Sequence, residues 1–177
     1  MPRPVDTRRR EALLDAAVDY VVEHGLAGLS LRPLAAALGT DAPVLLHHFG
    51  SKDNLLVLLL NRVRDRLRTV GRSATGDDPS VQLGAVWEWT SDPRHEPLFR
   101  LFFEAYGLAL QRPGRYAEFL GHVVADWIDE LTPAVGADRA TLAVAAVRGL
   151  LLDLLTTGDR DRVDAAERLL LSFLRPA

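Results

Sequence analysis

The chain has 177 residues, of which 48% are apolar and 25% are charged, and it contains no cysteine. This composition is typical of a globular protein with a hydrophobic core and excludes an intrinsically disordered chain. The lack of cysteine excludes disulfides, thiol nucleophiles and cysteine-ligated zinc.

Charge is distributed unevenly along the chain, although the formal net charge is only −3. Residues 1–70 contain 10 basic against 8 acidic residues, whereas residues 71–177 contain 11 against 16. Four arginines lie within the first ten positions, namely Arg3, Arg8, Arg9 and Arg10. This basic arm indicates either a local contact with a polyanion or a solvated tail.

The sequence has no evident signal peptide and no long aliphatic run. The basic N-terminus MPRPVDTRRRE is not followed by an apolar stretch. The longest aliphatic runs, Leu55–Leu60 and Gly149–Leu152, are far shorter than the roughly 20 residues that cross a bilayer. We therefore expect a soluble, cytoplasmic protein without a membrane partner.

Apolar residues recur at spacings of three and four in the first 70 residues, as on the buried face of amphipathic helices. Glycine stops and Ser or Asp N-caps separate these periodic segments. The residues in these roles are the stops Gly25 and Gly39 and the N-caps Ser30, Asp41 and Ser51. The pattern predicts helices at about 7–24, 31–38, 42–48 and 52–70.

The stretch GRSATGDDPS, residues 71–80, is predicted to be a linker because it is rich in turn-forming residues. It has the glycine spacing of a phosphate-binding loop, but Asp77 replaces the required lysine. Beyond it, proline and glycine breaks predict helices at about 80–92, 96–111, 113–131, 138–157 and 160–174. Because no segment alternates like a strand, we predict an all-α fold.

The adjacent histidines His47 and His48 raise the question of a metal or catalytic site. Neighbouring helix residues point about 100° apart, so the two rings cannot share one metal ion, and no other ligand lies at suitable spacing. Neither a His-Glu-x-x-His motif nor a nucleophile elbow occurs. We expect no metal, no cofactor and no catalytic residues.

A helix-turn-helix explains more of these positions. Ala35 is the small residue at the helix crossing, and Gly39 permits the turn. The apolar positions facing the third helix are Leu34, Leu38 and Leu45. The second helix of such a unit enters the DNA major groove. Its exposed residues would be Thr40, Ala42, Pro43, Val44, His47 and His48.

Residues 30–56, SLRPLAAALGTDAPVLLHHFGSKDNLL, resemble the DNA-binding signature of the tetracycline-repressor (TetR) family of bacterial transcriptional regulators. The resemblance covers the turn glycine, the HHF triplet and the Ser-Lys-Asp that opens the fourth helix, and residues 7–30 are similar to the family's first helix and its exit. It implies an all-α fold with two domains. Residues 1–52 would form a helix-turn-helix DNA-binding domain, and residues 53–177 a helical domain for ligand binding and dimerisation.

The resemblance also implies that His47 and the only lysine, Lys52, contact DNA phosphates. The N–H groups and dipole at a helix N-terminus favour this role for Lys52. For His48, packing is an equally good interpretation. The other predicted DNA contacts are Arg3, Arg8, Arg9, Arg10, Ser30, Arg32, Thr40, Asp41, Ala42, Pro43 and Val44.

Four positions depart from the family pattern. Asp41 replaces a small hydroxylic residue, Ala42 a polar or basic residue, Pro43 a glycine and Leu46 a tyrosine. Aspartate repels phosphate and leucine cannot bond to it, and each lost charge-assisted contact is worth on the order of 1–2 kcal/mol. We hypothesise that DNA affinity is weaker than usual, or depends on the arginine arm and Arg32.

Aromatic residues concentrate beyond residue 80 at helical spacing, which is typical of core packing. The stretch LFFEAYGLALQRPGRY is similar to the ligand-binding halves of TetR-like regulators, in which this region encloses an effector pocket. The predicted ligand contacts are Trp87, Phe102, Phe103, Tyr106, Tyr116 and Trp127.

The last two predicted helices are apolar on more than one face, which favours a two-fold interface between copies. The resemblance implies the same, and a dimer would reach two half-sites about 34 Å apart. The predicted interface residues are Leu142, Ala146, Gly149, Leu150, Leu170 and Phe173.

We therefore expect a homodimeric repressor that leaves a palindromic operator in double-stranded DNA when a small-molecule effector binds. One alternative is a helical ligand-binding or interaction module that has lost operator recognition, for which Asp41 and Leu46 argue. An all-α enzyme is a further alternative, but the sequence offers no convincing acid, base or nucleophile set.

Overall fold

The computed structural model describes residues 6–71 and 78–174. Among these residues there are helices, turns and bends but no β-strand, so the all-α prediction is confirmed. Arg3 and most of the predicted linker lie outside the described residues.

The helices follow one another with short connections. In chain order they are α1 Thr7–His24, α2 Leu31–Ala37, α3 Ala42–Phe49, α4 Lys52–Gly71, α5 Pro79–Thr90, α6 Glu96–Gln111, α7 Ala117–His122, α8 Ala125–Val135, α9 Ala137–Thr157 and α10 Arg160–Leu174. A 3₁₀ turn, Pro93–His95, connects α5 to α6.

One predicted helix is wrong. Instead of a single helix at 113–131, the chain forms a turn, then α7, then α8, and α8 continues through Pro133. Tyr116, Phe119 and Val123 are all buried, at a spacing of three and four. Because the apolar period continues across the break between α7 and α8, periodicity does not reveal the break.

Packing divides the chain into two units, and the first comprises the described residues up to Arg66 together with Leu101–Phe119. Its core residues are Leu14, Val18, Leu34, Leu45, Phe49, Leu55, Leu59, Phe102 and Tyr116. Ion pairs join α4 to α1: Arg62 bonds Glu11 and Asp15, and Arg66 bonds Asp19 at 2.7 Å. The predicted boundary at 52/53 does not coincide with this unit, because most of α4 groups with α1–α3.

The second unit comprises Leu67–Arg100 and the described residues from Leu120 onward. Its core is formed by Leu83, Leu131, Ala140, Ala143, Val144, Leu170 and Leu174. The fully buried Ala140 and Ala143 lie on α9 in this cluster, where small side chains permit close helix packing. Arg68 in α4 forms an ion pair with Asp126 in α8 at 3.3 Å.

Helix α9 is 21 residues long with a mean hydropathy of 1.5, so by length and composition alone it could cross a membrane. No long aliphatic run marks this helix in the sequence, because its apolar residues are interrupted by small and charged ones. Its charged side chains bond to other parts of the second unit: Arg148 donates to the Val123 carbonyl, and Asp153 pairs with Arg162 of α10 at 2.7 Å. Through these bonds and the buried Ala140 and Ala143, α9 packs within the second unit.

Candidate nucleic-acid interface

A tight turn joins α2 to α3. Gly39 has a φ of 63°, a left-handed conformation that glycine adopts without steric cost. Its N–H donates to the Ala36 carbonyl at 3.2 Å, and the Thr40 N–H donates to the Ala35 carbonyl at 2.9 Å. These bonds satisfy the last carbonyls of α2 and redirect the chain into α3.

The predicted helix-turn-helix core is present. Leu34, Ala35, Leu45 and Phe49 are each at most 2% exposed, which fixes one face of α2 and α3 against the rest of the unit. The opposite face of α3 is accessible. Its exposed residues are Pro43, Leu46 and His47, with Thr40, Ala42, Val44 and His48 half-buried.

Asp41 occupies the N-cap position of α3, but its carboxylate makes no capping hydrogen bond. Pro43 has no N–H to offer, and the N–H groups of Val44 and Leu45 donate to the backbone carbonyl of Asp41 at 3.0 and 3.2 Å. The exposed carboxylate therefore places a negative charge at the start of α3 that has no ion-pair partner among the described residues.

The two histidines have different environments. His47 is exposed, whereas His48 is half-buried and its Nδ1 has no hydrogen-bond partner among the described residues. Burial, followed by the nearby His47 and Arg9, lowers the pKa of His48. A neutral, partly buried ring is suited to packing, so His47 is the better candidate for a phosphate contact.

Helix α4 begins at Lys52, next to the C-terminus of α3. Ser51 is confirmed as its cap, since its Oγ accepts from the Asn54 N–H at 3.0 Å. The Asn54 side chain in turn donates to the Phe49 carbonyl at 2.8 Å, which fixes α3 to α4. Lys52 is exposed and forms no ion pair within the described residues.

The described arginines of the N-terminal arm have different environments. Arg8 and Arg9 are exposed on the first turn of α1. Ser30 and Arg32, which are also predicted DNA contacts, are exposed at the start of α2. Arg10 instead packs on the protein: its Nε donates to the His48 carbonyl at 3.2 Å, and its guanidinium lies 5.6 Å from the centre of the Phe49 ring. Sequence reasoning missed this structural role of Arg10.

The predicted ligand residues are divided between the two units. In the first unit, Phe102 and Tyr116 are buried while Phe103 and Tyr106 are half-buried. The rings of Phe102 and Phe103 contact edge to face at 5.3 Å.

In the second unit, Trp87 is buried and donates from Nε1 to Asp164 at 3.2 Å, and Trp127 packs on the core. This unit also has a cleft of about 240 Å³ lined by Ser91, Arg100, Leu151, Leu154 and Arg160 among others. None of the predicted ligand residues lines it. The Arg100 and Arg160 guanidiniums are bonded to neighbouring groups, Arg100 to Glu96 and Arg160 to the Ser91 carbonyl.

The predicted interface residues differ in accessibility. Leu142 and Phe173 are 59% and 60% exposed, and Gly149 is also exposed. Ala146 and Leu150 are half-buried, whereas Leu170 packs inside the core of its own unit. In the part of the chain that the structure describes, no three His, Asp or Glu residues are grouped so as to hold a metal ion.

Three comparisons point to one family. The family model for "Bacterial regulatory proteins, tetR family" matches residues 13–59, which contain α2, α3 and the start of α4. The HTH-type transcriptional regulator BetI of Stenotrophomonas maltophilia is 31% identical over 96 residues, a match that spans 52% of this chain and about half, 49%, of that relative.

Two further similarities extend over most of the chain. BetI of Paraburkholderia phytofirmans is 26% identical over 179 residues, covering 94% of this chain and 91% of that relative. The crystal structure of the multidrug binding protein EbrR complexed with imidazole superposes with a TM-score of 0.79 at 26% identity, covering 100% of this chain and 95% of EbrR. From the helix-turn-helix geometry and these matches together, we conclude that residues 13–59 match the TetR family of bacterial regulatory proteins and that the chain as a whole is similar to bacterial transcriptional regulators.

Proposed function

We propose that the protein is a cytoplasmic, ligand-responsive transcriptional repressor without catalytic activity, which binds a palindromic operator as a homodimer and releases it when a small molecule binds. The observation that carries the proposal is the accessible face of α3, together with the exposed cations Arg8, Arg9 and Lys52, which form no ion pair within the described residues.

The distribution of ion pairs supports a DNA contact at this surface. The acidic residues of α1 bond to arginines of α4, so Arg62 and Arg66 are already neutralised. Arg8, Arg9 and Lys52 are exposed and form no ion pair within the described ranges 6–71 and 78–174. Exposed cations near an accessible helix suit the phosphate strands that border a major groove.

The free carboxylate of Asp41 favours a second candidate, a TetR-like ligand-binding module with weak or lost operator recognition. It repels phosphate at the start of the helix that would enter the groove. Leu46, which is 41% exposed, offers only apolar contact. Both residues are expected to reduce DNA affinity.

The effector is proposed to be a small aromatic or amphipathic compound. Solved structures of EbrR contain imidazole and ethidium. In this chain, α6 carries Phe102, Phe103 and Tyr106 within two turns, and aromatic faces of this kind bind planar ligands. Trp87 and Trp127 remain proposed contacts in the second unit.

The homodimer is proposed from the exposed apolar residues of α9 and α10. Leu142 and Phe173 would be covered by a second copy, and Gly149 would permit close approach of another helix. Two copies are also needed to read two half-sites.

The test is recovery of fragmented genomic DNA by the purified protein at moderate salt, followed by sequencing and titration of the enriched site. Lys52→Ala is expected to lower the slope of log affinity against log salt by about one. The matched control is Arg112→Ala, which removes an exposed arginine at the end of α6 and should leave the slope unchanged. Uniform recovery, or none, would instead support the ligand-binding module.

A further inference from the structure

Glu104 on α6 binds the backbone of the loop between α1 and α2. Its Oε2 accepts from the Leu26 N–H at 2.8 Å, and its Oε1 accepts from the Ala27 N–H at 2.5 Å. Gly25, with a φ of 75°, leaves room for this contact, because a Cβ there would lie 3.2 Å from the Glu104 Oε2. One carboxylate thus uses both oxygens on two successive N–H groups that are far from it in sequence.

This loop fixes where α2 begins. Leu26 and Leu29 are buried, and the Leu29 N–H donates to the Leu26 carbonyl at 3.1 Å, immediately before Ser30. Ser30 makes no side-chain capping bond to α2. The two hydrogen bonds that the Glu104 carboxylate accepts are therefore prominent polar contacts of the segment that leads into the helix-turn-helix.

A second charged contact connects the end of this segment to the start of α4. Arg115, in the turn after α6, pairs with Asp53 in the first turn of α4 at 2.7 Å. The adjacent Tyr116 is 1% exposed and anchors this turn in the core. The segment 101–119 thus contacts the chain both before α2 and after α3, which agrees with its grouping in the first unit.

We propose that Glu104 is a positioning residue for operator binding: through the α1–α2 loop it holds α2 and α3 in the arrangement that fits DNA. Arg115 supports the same arrangement from the start of α4. Glu104 itself does not touch DNA. The inference rests on the proposed function, and it adds α6 to the parts of the chain that determine DNA affinity.

The test compares Glu104→Gln with the matched control Glu118→Gln, which makes the same change at an exposed position of α7. Glutamine keeps the size of glutamate but presents an NH₂ donor at one of the two positions where an acceptor is needed. At a temperature where all variants are folded, Glu104→Gln should bind the enriched operator about tenfold more weakly. Glu118→Gln should bind like the wild type, and Glu104→Asp, which keeps the charge, should recover part of the loss. Equal affinity of Glu104→Gln and Glu118→Gln would overturn the proposal.

Hydrogen exchange separates positioning from general loss of structure. In Glu104→Gln the Leu26 and Ala27 amides should exchange faster, while core amides of α1 such as that of Val18 keep their protection. Unchanged exchange at Leu26 and Ala27 would overturn the proposal. If the wild type itself selects no DNA site, the proposed function fails. The exchange rates of the Leu26 and Ala27 amides still show whether Glu104 holds the loop.

If Glu104→Gln does not fold, Glu104→Asp tests Glu104 by the same two readouts, and wild-type operator affinity together with wild-type exchange at Leu26 and Ala27 would overturn the proposal. A further variant tests the contribution of Arg115. Arg115→Gln leaves the Glu104 bonds intact and removes only the contact to Asp53. Because this pair is about half-exposed, we expect a smaller loss of operator affinity, about twofold to fivefold. Wild-type affinity in Arg115→Gln would refute the supporting role of this arginine.

Discussion

Replacing Arg10 should destabilise the protein, whereas replacing Arg8, two positions earlier, should not. The Arg10 side chain is 29% exposed, donates to the His48 carbonyl at 3.2 Å and lies 5.6 Å from the Phe49 ring centre. A hydrogen bond from a charged group contributes roughly 1.5–3 kcal/mol, and a partly exposed cation–π contact about 0.5–1 kcal/mol.

The long bond and the partial exposure of Arg10 favour the lower end of both ranges, so Arg10→Ala should lower the free energy of unfolding by about 2 kcal/mol. In a chain of this length that corresponds to a fall in melting temperature of roughly 4–8 °C. Arg8 is exposed and has no partner within the described residues, so Arg8→Ala should change stability by less than about 0.5 kcal/mol.

Urea and thermal unfolding measure the stability of both variants, and salt titration of DNA binding tests the proposed phosphate contact of Arg8. Arg8→Ala should reduce the salt slope by about one, as expected for a phosphate contact. Equal stability of the Arg8→Ala and Arg10→Ala proteins would refute the assignment of Arg10 as a contact between α1 and α3.

Two further predictions concern the turn and the second unit. Gly39→Ala should lower the free energy of unfolding by roughly 1–2 kcal/mol, since a Cβ there meets no atom within 4 Å and only the left-handed φ is unfavourable; urea unfolding with no loss would contradict this. Burial, with Asp164 and Glu88 nearby, raises the pKa of Glu167 above its ordinary value of 4.5. A carboxyl with a raised folded-state pKa stabilises the protein fully below its unfolded pKa, and this contribution is lost as pH rises through the folded pKa. Glu167→Gln should therefore be more stable than the wild type at neutral pH, and the difference should shrink toward about pH 4; a pH-independent difference in urea unfolding would exclude this cause.

Local signals in the sequence were sufficient for the DNA-binding helices. Ser51 caps α4 through an N–H three residues away, and α2 ends just before Gly39, where the Gly39 and Thr40 N–H groups donate to carbonyls three and five residues back. These interactions lie within about one helical turn, so residue type and spacing determine them without knowledge of the fold. The helix-turn-helix and the all-α class were accessible in this way, and the resemblance to the TetR family rests on the same residues. The residue contacts with DNA, effector and partner copy stay predictions.

Tertiary structure decided the roles of individual charges. Arg10 belongs by sequence to a basic arm, but it packs on a helix that begins more than thirty residues later, and Glu104 bonds an N–H 78 residues away. The periodicity of residues 113–131 likewise continued across a helix break, and Leu170 proved to be a core residue. A helical pattern states which residues share a face. Only the packing of the helices against one another determines which groups those faces meet, because that depends on contacts between residues distant in sequence.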